Sequence, residues 1–210
     1  MAVPHVEVTT RHRVARRALA LSAVALLLPT ACGLLGSGKS VVLFGDSLTL
    51  LVTPGVVKAA GSDFDVTSTA TWGLRIDEEL DPAAKVAGSD PDQVVVNLGT
   101  NNVLQRHDTT ASIEDLKALV DTFTDVRCVH LVTINEQINR LGEDFHSEAA
   151  AINSAIREIA ARRLDTDVID WNQIVIDHAA DNIMSEDTVH PNAAGVALLA
   201  DAYLTAIRRC

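Results

Sequence analysis

The sequence predicts a single α/β domain, in which helices cover both faces of a five-stranded parallel sheet to give three layers. Three observations lead there. Short runs rich in Val, Ile and Thr recur along the chain, segments of helical period separate them, and no internal repeat or second composition regime appears after residue 40. The expected strands are 41–44, 64–68, 93–98, 128–134 and 167–170, each read as buried on both faces because the runs are short and rich in Val, Ile and Thr. Ile113, Leu116, Val120 and Phe123 share one helical face, with Ser112 and Asp115 as a capping pair at its start. Ile152, Ile156 and Ile159 do the same within 144–163, and Val196, Leu199, Tyr203 and Ile207 within the last helix. Strands alternating with helices give a parallel sheet.

Composition narrows the function classes. The 210 residues are 48% apolar and 21% charged, too apolar for a disordered chain. The net charge is −11, with only seven Phe, Trp and Tyr side chains for stacking on bases, so nucleic acid is not an expected partner. Three cysteines without CxxC spacing point to no structural zinc site, and His107, His130 and His146 show no ligand spacing. No metal or cofactor is expected.

Residues 1–32 read as an export signal. Arg11, Arg13, Arg16 and Arg17 precede an apolar run over 18–28, followed by Pro29-Thr30-Ala31-Cys32. The run is too short for a permanent membrane span, which needs about 20 residues. Thr30-Ala31-Cys32 resembles a lipobox and makes Cys32 a candidate lipidation site, while Pro29 departs from the aliphatic residue that motif carries. Membrane attachment is expected only through such a lipid. Residues 33–39 then read as a flexible linker. They overlap a GxxxxGKS string, Gly33 to Ser40, that matches the phosphate-binding loop in letters. That loop needs a strand before it and a helix after it; here a signal precedes and a strand follows.

Open parallel sheets place their sites beyond the carboxyl ends of the strands. Gly45-Asp46-Ser47-Leu48 follows the first strand, Thr71-Trp72-Gly73 the second, Gly99-Thr100-Asn101-Asn102 the third, and Asp187-Thr188-Val189-His190 the last. In this order the four blocks resemble the SGNH (GDSL) hydrolase family of esterases and lipases, from about residue 40 to the C-terminus. The resemblance implies a flavodoxin-like three-layer fold and ester hydrolysis through an acyl-serine. Two residues depart from the family pattern: Asn102 stands where Asp is usual, and Leu51 where glycine is frequent.

A serine hydroxyl needs a neighbouring base to take its proton, and His190 supplies an imidazole. Asp187, three residues earlier, would fix its tautomer. Ser47, His190 and Asp187 are therefore the expected catalytic residues. The Ser47 and Gly73 N–H groups and the Asn101 side-chain amide would hold the oxyanion. Glycine is expected at 73 because only backbone can approach substrate that closely. Asp46 is read as a structural acid, holding the nucleophile loop or capping the next helix.

Cys128 opens the fourth strand and Cys210 ends the last helix, both on the side away from the site, so the two form a candidate disulfide. The expected substrates are short-chain or acetyl esters, including acylated envelope or extracellular carbohydrate. Trp72 and Arg75 resemble the site edge of cell-wall O-acetyl esterases and acyltransferases. Two alternatives stay open: an envelope O-acyltransferase, and a non-catalytic carbohydrate-binding module on the same fold.

Overall fold

A computed structural model describes residues 39–210. The export signal read over 1–32, the candidate lipidation site Cys32 and linker residues 33–38 lie outside the described residues. Lys39, read as the last linker residue, instead opens the first strand. The elements in chain order are β1 (Lys39–Gly45), α1 (Ser47–Ala60), β2 (Phe64–Ser68), α2 (Leu80–Ala87), β3 (Gln93–Asn97), α3 (Thr100–Leu104) and α4 (Thr109–Asp121). There follow β4 (Cys128–Val132), a small hairpin of β5 (Asn139–Arg140) and β6 (Glu143–Asp144), and α5 (His146–Arg162). The chain closes with β7 (Thr166–Ile169), α6 (Trp171–Asp177) and α7 (Ala193–Arg209).

The main sheet has the order β2-β1-β3-β4-β7, and every pairing in it is parallel. Period-2 alternation divides the strand residues between two cores. Val42, Phe44, Val94, Val96, Val129 and Leu131 face the layer containing α2, α4 and α5. Val41, Leu43, Val95, Val132 and Ile169 face α1, α6 and α7. The expected five-stranded, three-layer fold is therefore the one observed.

Two local expectations are corrected. The strand at 64–68 is not buried on both faces: β2 is an edge strand, and Asp65, Thr67 and Ser68 are exposed. The other edge, β7, is only partly covered, with Ile169 its one buried residue. An edge strand lacks a neighbour on one side, so its helices cover it incompletely. The second correction concerns α4, which does not start at Ser112. Asp108 caps it by accepting from the Ala111 N–H at 2.8 Å, and Ser112 lies inside the helix, donating to the Asp108 carbonyl at 2.8 Å. Aspartate is among the strongest N-caps, and it stands one turn earlier.

The phosphate-loop string fails structurally. Its last two residues lie in β1, and Ser40 donates from both N and Oγ to Asp92 Oδ2, at 2.7 and 3.0 Å. At the same pole of the sheet, Cys128 and Cys210 are joined, S–S 2.06 Å, as expected.

Candidate active site

Each strand end contributes through a different local device. β1 runs into α1 with no intervening loop, because Asp46 caps the helix and accepts from the Leu48 N–H at 3.0 Å. Ser47 thereby becomes the first helical residue, with its N–H among those that have no acceptor within the helix. Gly45 permits the tight passage: a Cβ there would collide with Thr49 Oγ1 and the Asn97 carbonyl. Just beyond β3, Gly99 adopts φ +108°, and α3 then presents Asn101 near its start.

The third contribution is the 185–190 turn. Asp187 Oδ1 accepts from the N–H groups of Val189 (3.0 Å) and His190 (2.9 Å), which turns the other oxygen toward the imidazole. His190 Nδ1 lies 2.6 Å from Asp187 Oδ2, and His190 Nε2 lies 2.9 Å from Ser47 Oγ. With a carboxylate accepting at Nδ1, Nε2 is the unprotonated nitrogen and accepts from the serine hydroxyl. Ser47, His190 and Asp187 are thus brought together from opposite ends of the domain, 143 residues apart for the first pair. Burial alone would raise the Asp187 carboxyl; hydrogen bonds from the His190 ring and from the two N–H groups outweigh it and hold it below the usual range.

Asp46 turns out to be both of its expected alternatives at once. It caps α1, and its second oxygen accepts from Asn101 Nδ2 at 3.0 Å. Complete burial pushes its carboxyl up to about 7, against the opposing pull of the Leu48 N–H, the His190 charge and the Asn101 amide. The Asn101 amide carries a second N–H, which is uncommitted among the described residues. Gly73 sits at the same rim with φ +79°, and a Cβ added there would meet no protein atom within 4 Å. The glycine requirement shown by the fold is therefore its left-handed backbone.

The structure also supplies contacts around the site that the sequence alone did not give. Thr188 adopts φ +57°, costly for a β-branched residue. Its hydroxyl exchanges hydrogen bonds with the backbone of Asn139, and its carbonyl accepts from Asn135 Nδ2 at 3.0 Å. The β5–β6 hairpin thus braces the histidine turn. Trp72, 57% exposed, lies with its ring centroid 5.5 Å from that of His190. Asn102 explains its own departure from aspartate. It accepts from the Ile76 N–H and donates to Ser112 Oγ, whose proton is given to Asp108; a carboxylate could not make that donation.

Of the histidines set aside, His130 is buried in β4 between Asp167 and Gln93. Asp77, His107 and Asp115 bring donor atoms within 4.8 Å of one another, but both Asp77 oxygens accept from Arg75.

Residues 43–198 match the GDSL-like lipase/acylhydrolase family. The chain belongs to that family. The match spans the serine, glycine, asparagine and histidine blocks, and makes the protein a hydrolase or acyltransferase. A search of curated proteins returned no match. Among solved structures, the catalytic domain of Streptococcus pneumoniae peptidoglycan O-acetyltransferase A superposes with a TM-score of 0.68 at 21% identity, over 83% of this chain and 95% of that one. A lipase/acylhydrolase from Enterococcus faecalis gives 0.68 at 22%, covering 81% and 96%. An acetylxylan esterase from Geobacillus stearothermophilus gives 0.64 at 20%, covering 82% and 95%. All three share the fold of this GDSL-like chain.

Proposed function

We propose that the protein is a serine esterase that removes short acyl groups, acetyl above all, from an alcohol such as a carbohydrate hydroxyl. The observation that carries the reading is the continuous Ser47–His190–Asp187 chain of hydrogen bonds, 2.9 and 2.6 Å long, at the carboxyl rim of the sheet. Ser47 Oγ attacks the ester carbonyl carbon as its proton passes to His190 Nε2. Asp187 keeps the ring oriented and stabilises the imidazolium. The carbonyl oxygen becomes an oxyanion, received by the N–H groups of Ser47 and Gly73 and the free Asn101 N–H. Collapse expels the alcohol, which takes the proton from His190, and leaves an acyl-serine. Water, deprotonated by His190, releases the acid and restores Ser47. Each oxyanion donor is worth about 100- to 1000-fold in rate.

The choice of a small acyl group on a sugar rests on three supports. The domain leaves little sequence for a lid or a long acyl channel. The chain's net charge of −11 disfavours anionic substrates. Trp72 presents a half-exposed indole beside His190, an apolar platform of the kind sugars stack on. The neighbours named for acetylxylan and for peptidoglycan O-acetyl transfer point the same way. The second of them also favours an alternative ending, in which a sugar hydroxyl rather than water takes the acyl group. We place the reaction outside the cytoplasm, on the export signal in 1–32 and a disulfide suited to an oxidising compartment. Cys32 is the proposed anchor point.

The test is hydrolysis of nitrophenyl esters of increasing chain length by the 33–210 fragment and its Ser47→Ala variant. Activity is expected to be highest on acetyl or butyryl esters and lost in the variant; activity unchanged in Ser47→Ala overturns the assignment. Acyl transfer to an added xylo- or peptidoglycan-derived acceptor, outpacing hydrolysis, would favour the transferase ending.

A further inference from the structure

We infer that Gln105 is a positioning residue for the oxyanion site, setting the Gly73 peptide from the same helical segment that carries Asn101. The inference rests on the esterase reading above and goes beyond it.

Asn101 and Gln105 are four residues apart, so their side chains lie on one face of a helical turn. The Gln105 N–H closes that turn on the Asn101 carbonyl at 2.9 Å. From this position Gln105 Nε2 donates to the Gly73 carbonyl at 2.8 Å. The direction of the amide is determined by its other partner. Arg75 Nη1 lies 2.8 Å from Gln105 Oε1, and a guanidinium can only donate, so the amide oxygen must face Arg75 and the NH₂ must face Gly73. Arg75 is itself held by a two-pronged pair with Asp77, Nε to Oδ1 at 2.9 Å and Nη2 to Oδ2 at 2.8 Å. Asp77, Arg75, Gln105 and Gly73 thus form one directed chain of donors and acceptors.

Gly73 needs such a chain. A glycine at φ +79° with open space around it has little local preference to fix its two peptide planes. The segment is tied on its other side by the Thr71 N–H, which donates to the Gly45 carbonyl at 3.2 Å. Gly45 immediately precedes the Asp46–Ser47 turn. The Gly73 N–H therefore sits between two clamps, one on the nucleophile turn and one on the asparagine helix. A donor placed before the reaction starts lowers the barrier without reorganisation, and misplacement by about 1 Å can cost about 100-fold.

The residue touches no reacting atom, so its signature is in transition-state charge rather than in substrate binding. Gln105→Glu keeps the length and the Arg75 partner but turns a carboxylate oxygen toward the Gly73 carbonyl. Gln105→Met keeps the volume and removes both hydrogen bonds. The two variants are compared with the parent 33–210 fragment on acetyl esters and on the matching thionoesters, whose sulfur draws little on oxyanion donors. The expected result is a fall in kcat of about tenfold, smaller than deletion of a donor outright. KM stays nearly constant, and the ester-over-thionoester preference falls by the same factor. The melting temperature is unchanged, because Gln105 is exposed. Parental kcat in both variants, or a fall shared equally by esters and thionoesters, overturns the inference while Ser47→Ala still abolishes activity. An active Ser47→Ala variant would instead remove the esterase reading and this inference with it.

Discussion

Asp46 is the residue at which burial and charge conflict most sharply. It is fully buried, it accepts from Leu48 N and Asn101 Nδ2, and its carboxyl is pushed up to about 7. An ordinary aspartate titrates near about 3.9, so the folded state holds this proton more tightly than the unfolded chain does. The stability that follows is present in full below about pH 4 and is lost as pH rises toward 7. Asp46→Asn resembles the protonated form at every pH. Thermal melts should therefore show the variant gaining on the parent between pH 5 and pH 8, whatever its offset at pH 5. A difference independent of pH would show that Asp46 titrates normally. The grouping of Ser47, Asp187 and His190 was readable in the sequence, because the three stand in short blocks whose order is distinctive. Thr188 was not. Its left-handed backbone is imposed by Asn139 and Asn135 from a distant segment, and nothing in its own side chain announces that conformation.

At the scale of elements, the β1–α1 passage carries the most consequence. Gly45 packs against the Asn97 carbonyl and Thr49, and Thr49 Oγ1 and Asn97 Nδ2 both meet the Tyr203 hydroxyl, at 3.2 and 2.8 Å. The β1–α1 turn, β3 and α7 are therefore one packed unit. Gly45→Ala should cost about 1–3 kcal/mol in denaturant unfolding, the range for forcing atoms into a filled site. It should also lower kcat by moving Ser47 away from His190. Full stability and rate in that variant would mean the passage can relax. The helices were legible because their 3.6-residue period is written in the residues that face the cores, and the strands because they are short runs rich in Val, Ile and Thr. The exposure of β2 and the Asp108 start of α4 were less so. An edge position depends on which strand becomes a neighbour, and two good capping residues four apart compete for one helix end.

Across the whole molecule, chemistry and covalent restraint sit at opposite poles of the sheet. The Cys128–Cys210 bond joins the start of β4 to the end of α7, while Ser47 and Asn101 stand at the other strand ends. The cysteines' sequence separation of 82 puts the chain-entropy stabilisation at no more than about 4.5 kcal/mol. Replacing both cysteines by serine should lower the denaturation midpoint while leaving kcat on an acetyl ester unchanged at 25 °C. A parallel loss of kcat would show that α7 transmits strain from one pole to the other. The fold class and the pairing were both legible, since helix direction alone sends Cys210 to the distal side. The lip of the site was legible only in part: Trp72 was read at its edge by resemblance, whereas the contact of Gln105 with Gly73 depends on loop geometry that no spacing encodes.

The central claim is that Ser47 is a nucleophile activated by His190, and covalent labelling tests it directly. The 33–210 fragment is treated with methylsulfonyl fluoride, digested, and mapped by mass spectrometry beside its His190→Ala variant. One sulfonyl adduct is predicted, on Ser47, formed in step with loss of esterase activity and nearly absent in the variant. Activity lost with the adduct on another residue, or Ser47 labelled equally fast without His190, would contradict the account.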